Sequence, residues 1–296
     1  MAASVRVGVI ADVQYADKAD DTRGGGRRHY RLSLAKLRAA VRAFNQHEPR
    51  LDLVLHLGDI IDGNVSHPAT QVDFASVLRA FSRLRPPVAH VIGNHCLDVG
   101  RESLLTQLGI APYYERRLSG EWILLVLDTT DVGVRGASAE RVAEAKAFLA
   151  KHAGEPNAQP YNGGVGADQL GWLCARLTAC RARGARAIVA GHMPLVRAAA
   201  TADTLAYNGE EVAALLDEFC DVCPLYACGH WHGGGYARRP SGVHHWTCEG
   251  MVEAAEQARG YALMLVHADR IEVASPDQAG GVSSRTFELR PPSPSK

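Results

Sequence analysis

Residues 51–62 read LDLVLHLGDIID. Leu51–Leu57 is a short apolar run, the pattern of a buried strand. Gly58, Asp59 and Asp62 follow it at once. An apolar strand that ends in glycine and carboxylates suits an open α/β sheet, where sites form at the carboxyl ends of strands. The same texture recurs on either side, at Val5–Ala11 (VRVGVIA) and Val88–Ile92. Between these runs, Tyr30, Leu34, Leu37, Val41 and Phe44 recur at helical spacing, and a second helix is predicted over Gln71–Leu84 with Pro86 and Pro87 beyond its end. Strand, helix, strand, helix, strand is the order of a mostly parallel layer with helical crossovers.

Further along, strands are predicted at Trp122–Leu127, Ala185–Ala190 and Pro224–Cys228, and helices at Ser138–His152, Ala167–Arg183 and Glu210–Phe219. Asp17–Arg28 is polar and holds Gly24, Gly25 and Gly26, so it reads as a loop. From Gly234 onward the runs shorten to Gly235–Arg239, Val243–Thr247, Tyr261–His267 and Arg270–Ala274, which suggests an antiparallel group. With no linker in between, residues 1–288 read as one domain, and the Pro/Ser-rich 289–296 as a frayed tail.

The 296 residues carry 32 Lys plus Arg against 32 Asp plus Glu. This balance disfavours a broad nucleic-acid surface, which needs clustered excess cations. No apolar run approaches the roughly 18 residues of a spanning helix, and the first residues lack the layout of a signal peptide. Seven cysteines, an odd number at irregular spacing, point to a reduced, cytoplasmic compartment.

Five polar segments each begin just after a predicted strand: Asp12-Val13-Gln14, Gly58–Asp62, Gly93-Asn94-His95, Gly191-His192 and Gly229-His230-Trp231-His232. Asp, Gln, Asn and His offer oxygen and imidazole donors without thiolate, which suits Mn, Fe or similar ions better than structural zinc. The donors are too numerous for one open catalytic ion, whereas two ions sharing one carboxylate fit the count.

The ordered series D-x-Q, GD-xx-D, GNH, GH and GHxH resembles the calcineurin-like metallophosphoesterases. Asp12–Asp17, Arg27–Arg31, Gly58–Gly63 and Gly229–Tyr236, with Asn162-Gly163-Gly164 and Glu249-Gly250, look like the branch of manganese-dependent ADP-ribose/CDP-alcohol diphosphatases. The resemblance implies two mixed sheets packed face to face with helices outside. It implies that Asp12, Gln14 and His232 bind one divalent ion, that Asn94, His192 and His230 bind the other, and that Asp59 bridges them. His95 would protonate the leaving oxygen and Asp62 would orient His95. Arg27 and Arg28 would clamp a second phosphate. Gln14 stands where the superfamily usually has His, and its harder amide oxygen favours Mn²⁺, with Fe and Zn as the other metal candidates. Cys96 stands where those relatives carry a carboxylate after GNH; it reads as a packed small residue, with Asp98 as the nearest replacement acid.

The activity so implied is hydrolysis of small nucleoside diphosphate derivatives, with ADP-ribose giving AMP and ribose 5-phosphate and CDP-alcohols giving CMP and an alcohol phosphate. A cyclic-nucleotide phosphodiesterase would use the same motifs, and a silent nucleotide- or metal-binding protein is the reading from another class. Cys220-x-x-Cys223 has no second pair to complete a thiolate site. Of His244-His245, in a β-like run, one is expected to face solvent. Tyr161-Asn162-Gly163-Gly164 reads equally as a plain loop or as part of a substrate pocket.

Overall fold

The computed structural model describes residues 4–23, 26–119, 121–254, 260–276 and 282–289. In chain order the first half holds β1 (Val5–Ile10), β2 (Asp21–Arg23), β3 (Gly26–Arg28), α1 (Tyr30–Gln46), β4 (Leu53–His56), α2 (His67–Phe81), β5 (Val88–His90), α3 (Arg101–Leu108), β6 (Tyr114–Ser119), β7 (Trp122–Val126), β8 (Val132–Gly133) and α4 (Ala139–Lys151). The second half holds β9 (Gly163–Gly164), α5 (Ala167–Ala182), β10 (Arg186–Ala190), α6 (Gly209–Glu218), β11 (Leu225–Cys228), β12 (Gly235–Arg238), β13 (His244–Thr247), β14 (Ala262–Val266), β15 (Arg270–Pro276) and β16 (Val282–Glu288).

Two six-stranded sheets carry the architecture, in the orders β16-β15-β14-β1-β4-β5 and β12-β13-β11-β10-β7-β6. Strands β1, β4 and β5 run parallel, as do β7, β10, β11 and β13. Antiparallel strands flank both parallel centres. Every second residue faces the other sheet, so Val5, Val7 and Val9 of β1 share a core with Leu124, Ile188, Leu225 and Trp246 of the second sheet. The opposite face of the first sheet packs Ile10 and Val54 against Leu37 of α1 and Phe74 of α2, and that of the second packs Val189 against Leu173 and Leu216 of α5 and α6. The result is the expected α/β sandwich of two mixed sheets with helices outside. Gly8 lets α1 lie close, since a Cβ there would meet the Phe44 ring at 2.8 Å.

Several elements depart from the sequence reading for local reasons. Helix α2 starts a turn before Gln71, because the Ser66 hydroxyl accepts from the Ala69 N–H and Pro68 fits the first turn. The expected loop over Asp17–Arg28 contains the short hairpin β2–β3. The late β group is divided between the two sheets: β12 and β13 join the second, while β14–β16 join the first. Leu289 donates its N–H to Asp269, and the rest of the expected tail, 290–296, lies outside the described residues. All seven cysteines are free thiols, and among the described residues no helix is long and apolar enough to cross a membrane.

His244 and His245 correct the expectation that one of them meets solvent. Strand β13 lies between β11 and β12, with both faces covered. His244 is 3% and His245 1% exposed. His244 is hydrogen-bonded to Tyr236 and to the Glu288 carbonyl, but neither nitrogen of His245 meets a partner among the described residues.

Burial pushes the His245 pKa down to about 4. An unfolded histidine takes its proton near pH 6.5, so the unfolded chain binds more protons between those values. Stability is therefore lost as pH falls from about 6.5 to about 4, by up to ~3 kcal/mol from this residue. His245→Leu is expected to hold wild-type stability at pH 7.5, because no hydrogen bond is lost, and to fall less steeply toward pH 5. Urea midpoints of both proteins at the two pH values test this, and identical pH slopes would remove the assignment.

Candidate metal centre

The five polar segments meet at one edge of the sandwich. Asp12 and Gln14 follow β1, Asp59 and Asp62 follow β4, and Asn94 and His95 follow β5, all from the first sheet. From the second sheet, His192 follows β10, and His230 and His232 follow β11. Within each sheet these site-bearing strands run parallel to one another, so their carboxyl ends open on the same side.

The turns that deliver these side chains are conformationally unusual. Among the described residues, the non-glycine positions with left-handed φ are Asp12 (50°), Gln14 (40°), Asp59 (54°) and His230 (66°). Such backbone costs of order 1–3 kcal/mol per residue and collects at functional sites. The neighbouring glycines supply room. A Cβ on Gly58 would stand 2.4 Å from His192 Nδ1, and one on Gly93 would stand 2.1 Å from Asp59 Oδ1.

Asp59 lies at the middle of the cluster. Its Oδ1 accepts the His95 backbone N–H at 2.8 Å, and its Oδ2 accepts Gln14 Nε2 at 2.9 Å and faces His192 Nε2 at 3.3 Å. The ligand-type atoms of Asp59, His192 and His230 all lie within 4.8 Å of one another. Asn94 Oδ1 is 3.1 Å from His192 Nε2. On the other side, Asp12 accepts the His230 N–H at 3.1 Å and faces His232 Nε2 at 3.4 Å. Asp12, Asp59 and His192 are all 0% exposed.

The histidines have their second ring nitrogens committed elsewhere. His192 Nδ1 meets the Leu57 carbonyl at 2.8 Å, His232 Nδ1 meets Glu253 at 2.7 Å, and His230 Nε2 meets Asn162 Oδ1 at 2.9 Å. Outer partners of this kind orient histidine ligands of metals.

Electrostatics give the same reading. Burial alone would raise the Asp59 carboxyl, but His192 and His95 hold it well below the usual carboxylate range. Burial opposes the charged form of His192, and Asp59 overrides it, raising His192 to about 9. Burial likewise opposes charged His232, and Asp12 with Glu253 raises it to about 9. His230 is pushed well below its ordinary value by burial and by His192. Two buried carboxylates thus draw positive charge into the cluster, a demand that divalent cations satisfy while displacing protons.

The donor set fits metal ions on one further observation. Gln14 gives its amide N–H to Asp59, which leaves its Oε1 buried with no hydrogen-bond partner among the described residues. An orphaned buried acceptor costs ~1–3 kcal/mol unless something electropositive meets it.

His95 stands beside this cluster, with Nδ1 3.1 Å from the Asp62 carbonyl and 3.3 Å from Asp62 Oδ1. The Asp62 carboxylate is shared with Lys18 and, at 3.5 Å, with Arg28 Nη1. A cavity of about 710 Å³ opens over the site, lined by Gln14, Arg28, Asn94, His95, His230 and His232, with Tyr161, Thr201, Asp203 and Trp231 along its rim.

The two arginines separate. Arg28 lines the cavity and lies 3.5 Å from Glu253 Oε1. Arg27 is 68% exposed and points to Asp20 at 3.4 Å, because successive residues of β3 face opposite sides. The structure brings Arg28 to the site and leaves Arg27 outside. Cys96 is packed as expected, its sulfur accepting the N–H groups of Ile60 and Gly93 at 3.4 Å, and burial pushes its thiol up to about 12. Asp98 pairs with Arg135, which also donates to the Asn94 carbonyl. The sequence leaves Asn162 open between a plain loop and a substrate pocket and gives Glu253 no role. Asn162 sits in a Gly-rich loop with no spacing signal, and Glu253 lies beyond the strand-tip pattern.

Comparison with known proteins follows the same lines. The family model described as calcineurin-like phosphoesterase matches residues 5–234. A manganese-dependent ADP-ribose/CDP-alcohol diphosphatase of Arabidopsis thaliana is 32% identical, over 95% of this chain and 96% of that protein. One of the same name from Bos taurus is 31% identical, over 89% of each. The crystal structure of a dimetal phosphatase from Danio rerio superposes with a TM-score of 0.89 at 29% identity, over 97% of this chain and 99% of that one.

Proposed function

The chain belongs to the calcineurin-like phosphoesterase family, and from that premise we propose that it hydrolyses the pyrophosphate bond of ADP-ribose and CDP-alcohols with two divalent ions, Mn²⁺ first. The observation that carries this reading is the convergence of Asp12, Gln14, Asp59, Asn94, His192, His230 and His232 at one edge of the sandwich, beneath the cavity that Gln14, Asn94, His230 and His232 line, with Gln14 Oε1 left without a hydrogen-bond partner among the described residues. Divalent ions bound there neutralise phosphoryl oxygens and activate water for in-line attack. Asp12, Gln14 and His232 would hold one ion and Asn94, His192 and His230 the other, with the Asp59 carboxylate available to both.

The chain's own residues do the rest. Asp62 accepts from His95 Nδ1–H, so the doubly protonated imidazolium carries its second proton on Nε2, gives that proton to the leaving oxygen and is left as the neutral Nδ1–H ring. Arg28 lines the cavity, and its ion pairs among the described residues are long ones to Asp62 and Glu253, at 3.5 Å each, so its guanidinium is available to a second phosphate. Residues 1–288 act as one domain in this reading, since both sheets contribute to the site.

Arg28→Ala is expected to raise KM for a nucleoside diphosphate by ~10–100-fold, the worth of one or two charge-assisted hydrogen bonds. KM for an aryl phosphodiester, which lacks the second phosphate, is expected to change much less. Equal changes would remove the clamp. The whole reading is tested by turnover of ADP-ribose, CDP-choline and cyclic AMP with Mn²⁺ and with Zn²⁺, products identified. AMP with ribose 5-phosphate and CMP with choline phosphate are expected, while hydrolysis of cyclic AMP alone would overturn it.

A further inference from the structure

Asn162 is buried at 3% exposure between the metal cluster and the cavity rim. Its two amide donors are both used. Nδ2 gives one hydrogen bond to the Asp203 carbonyl at 2.7 Å and one to the Asn157 carbonyl at 3.0 Å. A carbonyl accepts only, so these two contacts fix which end of the amide is nitrogen. Oδ1 must then be the atom 2.9 Å from His230 Nε2. Because an amide oxygen also accepts only, His230 Nε2 carries the proton in this contact, and its lone pair is left on Nδ1.

The His230 backbone is pinned independently. Its φ is 66°, and its N–H donates to both Asp12 oxygens at 3.1 and 3.2 Å. Backbone and ring are thus held by different partners, and among the described residues the hydrogen bond from Asn162 is the one that selects the tautomer. Tyr161, the preceding residue, reaches Asp203 Oδ2 with its hydroxyl at 3.4 Å, and both line the cavity. One side chain therefore joins the substrate rim to a metal ligand.

We propose that Asn162 is a positioning residue that sets the tautomer of His230, so that Nδ1 faces the ion it would share with Asn94 and His192, and that couples this ion to the segment around Asn157 and to Asp203 on the cavity wall. The inference rests on the dinuclear reading of the site. It adds a residue that binds neither ion.

The test is Mn²⁺ titration followed by the electron paramagnetic resonance of free Mn²⁺, with wild type, Asn162→Ala and Asn162→Asp. Wild type is expected to bind two ions. Asn162→Ala is expected to lose ~10–100-fold in affinity for one ion, the usual cost of removing an outer partner of a metal ligand, and to leave the other unchanged. Asn162→Asp keeps an acceptor for Nε2–H but loses both donors to the rim. It is expected to recover most of the metal affinity while KM for the nucleotide stays raised. Equal losses in the two variants would mean that Asn162 only props the loop, and unchanged affinity in Asn162→Ala would remove its role; either result overturns the proposal. If the alanine variant does not fold, by circular dichroism, the aspartate variant decides by the same comparison with wild type. Wild type binding no Mn²⁺ would overturn the metal reading and the inference with it, whereas two ions in wild type with no change in the variants would overturn the inference alone.

Discussion

Asp59→Asn is expected to reduce bound Mn²⁺ from two ions to one or none and to lower kcat/KM for ADP-ribose by at least ~10³-fold. Three decades correspond to about 4 kcal/mol of transition-state stabilisation, within the several kcal/mol that metal ions contribute to phosphoryl transfer. The size of the effect follows from charge and from geometry. Two divalent cations about 4 Å apart repel by ~17 kcal/mol at an effective dielectric of about 20, so a shared anion is required to hold them together. The substitution removes that anion at nearly constant volume. It also removes an acceptor, because Asp59 takes the His95 N–H on one oxygen and Gln14 Nε2 on the other. An asparagine has one acceptor oxygen, so one of these donors would face an NH₂ group. The backbone of His95 and the side chain of Gln14 cannot then both keep their places. Metal content measured by atomic emission, beside turnover and circular dichroism, checks the prediction. A folded variant with two ions and wild-type turnover would remove Asp59 from the centre of the site.

The fold was largely legible because its parallel strands are apolar on both faces and each ends in a polar tip. Val5–Ile10, Leu53–His56 and Arg186–Ala190 sit within the runs that hydrophobicity marks out. Less legible was the partition of the late strands. Tyr261–His267 and Val243–Thr247 look alike as short β runs, yet β14 pairs with β1 and β13 with β11. Sheet membership is set by pairing across long sequence separations, which local alternation does not encode. The burial of both His244 and His245 depends on what covers each face of β13: His244 stacks on Phe287 of the other sheet, and His245 turns to the opposite face beside Tyr226.

At the site, residue type and position after a strand mark out the five polar segments, the family resemblance singles out seven metal-ligand candidates within them, and the sheet topology brings all these tips to one edge. What the sequence does not show is the second layer. Glu253 and Asn162 reach His232 and His230 from loops whose positions depend on tertiary packing. Arg27 and Arg28 were indistinguishable as neighbours in a polar stretch; the short hairpin β2–β3 separates them, turning one toward the cavity and the other toward Asp20. Alternation along a strand three residues long therefore decides which arginine can meet a phosphate.

His95→Ala is expected to slow hydrolysis in proportion to the basicity of the leaving oxygen. A general acid contributes typically ~10²–10⁴-fold where the leaving group needs a proton. A nucleotide ester of a strongly acidic phenol departs without one, so its turnover by the variant is expected within a few-fold of wild type. Esters of weakly acidic phenols are expected to lose the full factor, which makes the dependence of rate on leaving-group pKa steeper. Metal content should stay at two ions, since the hydrogen bonding of the His95 ring among the described residues is to Asp62. The same contacts order a second variant. Asp62 holds His95 Nδ1 through its backbone carbonyl at 3.1 Å as well as through its carboxylate at 3.3 Å, and that carboxylate is already shared with Lys18 and Arg28. Asp62→Asn keeps the carbonyl, so it should lose less than His95→Ala on the same ester series. If His95→Ala slowed every ester by one common factor, the ring would be positioning the substrate and the proton would come from elsewhere. A slope that steepens for His95→Ala and only partly for Asp62→Asn is the outcome that a proton donor held mainly by a backbone carbonyl requires.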